Sequence, residues 1–346
     1  MKIASVAYRV PSWKVTNDNL LTYIDKCNPN VPARKKLPYL KIVEKLLRQT
    51  GAESRHWRDP EINEKAADLI LGVIKDALEQ ANLSATDIDL LIYCGVGRGF
   101  LEPANAYFYA HAAGMNQANC FDITDACMSW IRATHIAQLM LKAGTFKRVM
   151  IINGEFHLGF HDNWEIRDLR SLEYSLPAYT IGEAATATIL TASESDWKFA
   201  YSSKPEYADV CTIPLPSHAN FVNPSKKIGH NGIYKFVSYG QEIFQAGVDC
   251  LGKLIRSTID DVERNVLYFP HAPSKKVYER DVAESSGIPA DKMYLQVYPQ
   301  FGNLVSASIP VGLSLAKAEG KINSGDPIAL IPASAGIVAS VVQLTF

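Results

Sequence analysis

The alternation of hydrophobic and polar positions divides the chain into two kinds of segment. Strand-like runs at Lys2 to Val10, Asp89 to Val96, Cys120 to Ile123, Arg148 to Asn153 and Ala185 to Thr191 alternate with helix-like ones, which predicts a layered α/β fold. The most regular helix predicted spans Glu61 to Asn82, where Ala66, Leu69, Ile70, Val73, Ile74, Ala77 and Leu78 recur at three- and four-residue steps. Its other face carries Lys65, Asp68, Lys75 and Glu79. A comparable order follows in the second half: strand-like Trp197 to Ser202, helix-like Tyr239 to Ile259, strand-like Asn265 to Phe269 and helix-like Lys275 to Ser286. Helix-like Ser306 to Glu319 then leads through the turn Asn323 to Asp326 into a closing hairpin, Pro327 to Pro332 and Ile337 to Phe346. The pattern therefore predicts two similar halves, 1-191 and 192-346. With no Pro/Gly/Ser-rich linker between them, they are expected to pack on one another.

The segment from Asn28 to Lys45 breaks the pattern. Arg34, Lys35, Lys36, Lys41 and Lys45 stand beside Pro29, Pro32 and Pro38, which reads as a solvated basic loop or, functionally, as a docking patch for the phosphate of a carrier arm.

At 346 residues, 47% of them hydrophobic, the chain can bury a large core. Its 35 basic and 36 acidic residues leave a formal charge of -1, so no global field selects nucleic acid or an anionic membrane. Apolar runs such as Val149 to Ile152 fall far short of the roughly 20 residues of a membrane span. The chain enters its first strand without the pattern of a leader peptide, so a cytoplasmic protein is expected. Six cysteines without CxxC pairs or regular spacing argue against zinc sites and a disulfide framework. Cys94 and Cys250, among apolar neighbours, read as small core hydrophobes.

Cys127 has other surroundings. It lies in Phe121-Asp122-Ile123-Thr124-Asp125-Ala126-Cys127-Met128-Ser129-Trp130, where a strand-like run gives way to a helix-like one, Trp130 to Lys142. A helix N-terminus stabilises a thiolate, so this junction predicts a lowered thiol pKa and a nucleophile, against the alternative of a buried structural thiol. Asp125 reads as a cap for the helix-start amides. Met128, Trp130 and Phe100 read as core, with an acyl pocket as the alternative. His271 follows a strand-like run in Val266-Leu267-Tyr268-Phe269-Pro270-His271, and Asn303 sits on a Gly-Asn turn before a helix. Each alone is an ordinary structural residue.

Taken in the order Cys, His, Asn, these segments resemble the ketoacyl synthase III branch of the thiolase superfamily along nearly the whole chain. Thr50-Gly51-Ala52-Glu53-Ser54-Arg55 resembles that family's Thr-Gly-Ile-x-x-Arg segment, and Gly182-Glu183-Ala184-Ala185 its Gly-Asp-Gly-Ala turn. Gly302-Asn303-Leu304-Val305-Ser306-Ala307-Ser308-Ile309-Pro310 is the most specific match. The resemblance implies a thiolase fold, five layers in the order α-β-α-β-α built from two pseudo-repeated halves, and a homodimer. It implies that Cys127 is acylated by a thioester, while His271 and Asn303 hydrogen-bond the carbonyl oxygen of a second substrate as its enolate forms. No resident cofactor or metal is implied: the phosphopantetheine of an acyl carrier protein, or coenzyme A, enters as substrate.

Glu102, in Gly99-Phe100-Leu101-Glu102-Pro103-Ala104-Asn105, resembles the Leu-Glu-Pro stretch of head-to-head condensing enzymes and pyrone-forming ketosynthases. There the glutamate serves as base in the partner subunit's site; the alternative is an acidic residue favoured by a helix dipole. Two departures bear on the substrate. Lys45 and Gln49 stand where the chain-initiating enzymes place the tryptophan and arginine that grip coenzyme A, and the glycine-rich loop near the end reads Pro332-Ala333-Ser334-Ala335-Gly336. The leading expectation is Claisen-type condensation of two acyl or β-ketoacyl thioesters, with ring closure as a variant, in secondary metabolism or lipid assembly. An acyltransferase to an alcohol or amine is the second reading, and a non-catalytic subunit of a ketosynthase heterodimer the third.

Overall fold

Two sheets of the same design carry the chain. In the computed structural model, which describes residues 1-156, 164-223 and 225-346, the first half supplies β1 (Lys2–Arg9), β2 (Trp13–Thr16), α1 (Asn17–Cys27), α2 (Ala33–Thr50), β3 (Ser54–Trp57), α3 (Ala66–Ala81), β4 (Leu90–Cys94), α4 (Asn105–Ala112), β5 (Asn119–Ile123), α5 (Ser129–Lys142), β6 (Arg148–Glu155), the short α6 (Leu172–Ser175) and β7 (Ala184–Thr191). The second half supplies β8 (Lys198–Ser203), β9 (Cys211–Thr212), β10 (Val237–Ser238), α7 (Gly240–Thr258), β11 (Leu267–Phe269), α8 (Lys275–Val277), α9 (Ala283–Ser286), α10 (Val297–Phe301), α11 (Ser308–Ala318), β12 (Pro327–Leu330), β13 (Ala333–Ser334) and β14 (Val338–Thr345).

The first sheet runs β1-β7-β6-β4-β5, with antiparallel, antiparallel, parallel and parallel pairings. In the second, β8 pairs antiparallel with β14, β14 antiparallel with β12, and β12 parallel with β11. A parallel bridge from Tyr268 to Met293 stands where β5 stands in the first. Each half therefore repeats one winding.

The central strands are covered on both faces, which is why β4 and most of β6 read as continuous apolar runs rather than alternating ones. Helices α5 and α11 lie between the sheets. Trp130, Ile131 and Ala137 of the one and Ile309, Val311 and Leu313 of the other form a single core with Ile151, Leu190, Leu330 and Val342. Helix α3 covers the outer face of the first sheet through Ile70, Val73, Ile74 and Ala77, and α7 that of the second through Cys250, Leu251 and Ile255. This is the five-layer α-β-α-β-α thiolase fold. Cys94 and Cys250 are core residues, as expected, and so are Met128 and Trp130. Phe100 is not core and does not line the cavity of its own chain: it is exposed and stacks on Phe108 at 4.5 Å.

The basic segment 28-45 is not a loop. From Ala33 onward it is α2, an 18-residue helix that buries Tyr39, Val43 and Leu47 at four-residue steps. Pro32 is its N-cap and marks the helix start, while Pro38 lies within the helix, which continues through it. The predicted helix at 61-82 starts later, at Ala66, because Pro60 to Glu64 form a turn closed by the Asn63 N–H on Pro60 O at 3.3 Å. The run 275-286 is helical throughout but changes to π-type turns at Tyr278–Val282.

Candidate active site

Cys127, His271 and Asn303 line one cavity of about 680 Å³ between the halves. The internal repeat places them. Cys127 precedes the central helix α5 and Asn303 precedes its counterpart α11, while His271 follows β11 as Val96, also in the lining, follows β4.

The turn carrying Cys127 is tight. Ala126 has φ 44°, a left-handed conformation that costs a residue with a Cβ about 1–2 kcal/mol. Ser129 holds it: its Oγ accepts the Asp125 N–H at 2.8 Å and donates to Ala126 O at 2.7 Å. Asp125 does not cap the helix-start amides with its carboxylate, which instead accepts from Arg132 Nε at 2.8 Å. The expected lowering of the Cys127 pKa is reversed. Burial pushes the thiol well above its ordinary value, the neighbouring Cys211 thiol and Glu155 add to this, and the Ser334 hydroxyl and the backbone N–H of Cys127 oppose it. Helix α5 begins two residues later, at Ser129, and desolvation by the cavity walls is the largest influence on the sulfur.

His271 is buried, and burial alone brings its pKa down to about 4, so the ring is neutral near pH 7. Its Nδ1 lies 3.0 Å from Ser308 Oγ, which leaves Nε2 for the cavity. Ser308 has one proton and two acceptors in reach, His271 Nδ1 and the Val305 carbonyl at 3.1 Å. With the proton on the Val305 side Nε2 is a base; turned to His271 it makes Nε2–H a donor.

Asn303 sits on a backbone that only glycine permits before it. Gly302 has φ 73°, and a Cβ there would lie 2.2 Å from Thr180 O. Asn303 N–H donates to Thr180 O at 2.8 Å, and its Oδ1 accepts the Val305 N–H at 2.8 Å, an Asx turn that holds Val305 at φ 52°. With Oδ1 engaged, the amide NH2 is the part of Asn303 left to donate into the cavity.

Glu155 is a site residue that the sequence reading missed. Fully buried at the end of β6, it accepts N–H groups from Val96 at 3.1 Å and Ser306 at 3.2 Å, and the Ser306 hydroxyl. Burial raises its pKa and these bonds oppose the rise. It ties the loop after β4 to the turn before α11, and thus one half's cavity wall to the other's. The available signal was an acid closing a strand that opens on an apolar run, Val149 to Ile152. Ser308 and Ser334 lie in segments that the sequence singles out, without being marked there as site residues.

Glu102 is not brought to this cavity in its own chain. It is exposed, in a loop ahead of α4 flanked by the exposed apolar side chains of Phe100, Leu101, Tyr107 and Phe108. The mouth of the cavity is formed partly by α2, whose Ile42, Leu46 and Thr50 face inward while Lys41, Lys45 and Arg48 face solvent. The far arm follows α7 past Ile243, Phe244, Gly247, Val248 and Leu251. Among the described residues no His/Cys/Asp/Glu cluster suits a metal, and no helix is long and apolar enough to cross a membrane.

Comparisons with known proteins bear on the family and the fold. Residues 121–204 match the family model described as 3-oxoacyl-[acyl-carrier-protein (ACP)] synthase III, and residues 258–345 its C-terminal model. A β-ketoacyl-[acyl-carrier-protein] synthase III of Clostridium perfringens is 29% identical over 84% of this chain and 86% of its own length. That of Symbiobacterium thermophilum is 25% identical over 97% and 95%. Among solved structures, OleA of Xanthomonas campestris with bound lauric acid and lauroyl-CoA superposes with a TM-score of 0.82 at 21% identity, covering 99% of this chain and 98% of the other. The 3-oxoacyl-[acyl-carrier-protein] synthase III of Aquifex aeolicus gives 0.79 at 23%, covering 100% and 99%, so the fold is shared end to end. Matched at residues 121–204 and 258–345 and aligned along most of its length, the chain is similar to the ketoacyl synthase III-like condensing enzymes.

Proposed function

We propose that Cys127 takes an acyl group from a thioester and that His271 and Asn303 support its Claisen-type condensation with a second acyl or β-ketoacyl thioester. The observation that carries the reading is the convergence of these three residues, from three separate segments, in one deep apolar cavity. Cys127 attacks the thioester carbonyl, the departing thiol leaves with a proton, and the acyl group remains on sulfur. A neutral His271 accepts the Cys127 proton through Nε2 and, with the Ser308 hydroxyl turned toward Nδ1, donates from Nε2 to the enolate oxygen of the second substrate. Asn303 Nδ2 is the companion donor. Removing one such donor typically costs about 10²–10³ in rate.

The apolar arm along α7 suits a hydrocarbon acyl chain, and the exposed Lys41 and Lys45 at the mouth suit the phosphate of a carrier-protein or coenzyme A arm. Glu102 is the base for proton removal when the nucleophilic carbon is not made by decarboxylation, and it acts in the cavity of a second copy. The mass of the intact protein after exposure to a panel of carrier-protein and coenzyme A thioesters tests the reading. Acyl adducts are expected on the parent chain and none on Cys127→Ala; a variant that still forms lengthened product defeats it.

The position of Glu102 outside the cavity of its own chain favours one competing reading, an acyltransferase to an alcohol or amine with His271 as general base. An unchanged product-forming rate in Glu102→Gln supports that alternative.

A further inference from the structure

The cavity around Cys127 gives a thiolate little help. Its lining among the described residues includes no lysine or arginine, and its one histidine is neutral. Burial, Cys211 and Glu155 all act against ionisation of the sulfur. One side chain acts the other way. Ser334, in the two-residue strand β13, pairs with Val338 at the start of β14, so its backbone is fixed by the hairpin. It is 5% exposed, lines the cavity, and its Oγ makes no hydrogen bond among the described residues. A buried hydroxyl without a partner costs about 1–3 kcal/mol, a cost most buried polar groups avoid. It shares the cavity with Cys127, and of the groups acting on that sulfur its hydroxyl is the one side chain that favours the thiolate. Because the sequence reads Pro332-Ala333-Ser334-Ala335-Gly336 here, this hydroxyl is a property of this chain's loop rather than of a glycine-rich one.

We propose that Ser334 is a catalytic residue of the acylation step, its hydroxyl donating a hydrogen bond to the Cys127 sulfur as negative charge builds there. This rests on Cys127 being the acylated residue. As the Cys127 proton passes to His271, charge appears on sulfur and the Ser334 O–H, unengaged in the resting chain, bonds to it. The sulfur–carbon bond then forms, the carbon–sulfur bond to the departing thiolate breaks, and the proton held by His271 passes to that thiolate. Ser334 keeps its own proton throughout. A donor that is idle in the ground state and engaged when charge forms lowers the barrier without tightening substrate binding.

The experiment measures the rate of iodoacetamide alkylation at Cys127 from pH 6 to 10, by peptide mass spectrometry, in the full-length parent, Ser334→Ala and Ser334→Thr. Acylation by an acyl thioester is measured in parallel, with thermal unfolding to show that each variant is folded. A hydrogen bond to a charged group predicts alkylation slowed about tenfold or more in Ser334→Ala across this range, which lies below the midpoint of a thiol raised by burial, and recovery in Ser334→Thr. Profiles within a factor of two of the parent, or equal slowing in both variants, overturn the proposal. Alkylation reads the thiolate whether or not a thioester is a substrate. An altered alkylation profile in a protein that no thioester acylates would therefore count against the proposed function and leave the role of Ser334 at the sulfur standing.

Discussion

At the scale of single residues, the site's electrostatics are those of burial. The junction before α5 suggested an activated thiol, yet the half-buried Cys127 opens onto a largely apolar cavity, and desolvation there raises its pKa. The same burial makes His271 a stability sensor. Its pKa falls from about 6.5 unfolded to about 4 folded, so between those values the unfolded chain binds a proton that the folded chain refuses. Stability contributed by this group is complete above about pH 6.5 and is lost as pH falls toward 4, by about 3 kcal/mol in total. The expected outcome is that the difference in unfolding free energy between the parent and His271→Asn, followed by urea denaturation, shifts by roughly that amount against the parent over this window. Comparing the two proteins cancels the carboxylates they share. Parallel curves would show that the imidazole is hydrated or paired in solution. Cys127, His271 and Asn303 were legible because their flanking segments form recognisable patterns. Glu155 was not, since a lone acid in an apolar strand becomes meaningful only when the N–H groups of Val96 and Ser306 are seen to converge on it.

At the scale of elements, most of the fold was legible because buried strands and two-faced helices impose distinct periods. The failures have physical causes. Helix α2 was hidden because Pro38 and five basic side chains suggested solvated coil, while the stripe Tyr39, Val43, Leu47 that docks it occupies only every fourth position. The role of α7 as a cavity wall was equally invisible, since an apolar helical face reads the same whether it meets a neighbour or a void. Gly247 makes the difference measurable. A Cβ built there meets only Ala333 Cβ, at 3.9 Å, and the position faces the cavity. Gly247→Leu should therefore fold, with a gain of up to about 1 kcal/mol in helix propensity, and place its side chain where a long acyl tail would lie. Acylation of Cys127 by long-chain thioesters should fall at least about tenfold, while that by acetyl or butyryl thioesters stays within a factor of about two. Competition between chain lengths, read by intact mass, checks this. Equal loss at every length would mean that the arm along α7 does not hold the acyl chain.

At the scale of the whole molecule, the first sheet ends on β5, whose outer edge is unpaired among the described residues. Nearby lie Phe100, Leu101, Tyr107 and Phe108, all exposed, with Glu102 in their midst. An open edge beside an apolar patch invites a second copy, and a two-fold axis there would make the contact self-complementary. Glu102 would then leave its own cavity, as it does in the chain, and approach the other. Mixing separates this arrangement from any role within one chain. Neither Cys127→Ala nor Glu102→Gln should condense substrate alone. In a mixed dimer with Glu102 acting across the interface, one of the two sites receives both an intact Cys127 and an intact Glu102, while the other receives neither. Random re-association of equal amounts makes half of the dimers mixed, so about a quarter of the parent activity per chain should return after the two variants are co-refolded or co-expressed. If Glu102 acts within its own chain, every site in every mixture lacks one residue and no activity returns. If Glu102→Gln condenses at the parent rate by itself, the base is elsewhere, and the exposed loop serves the subunit contact alone.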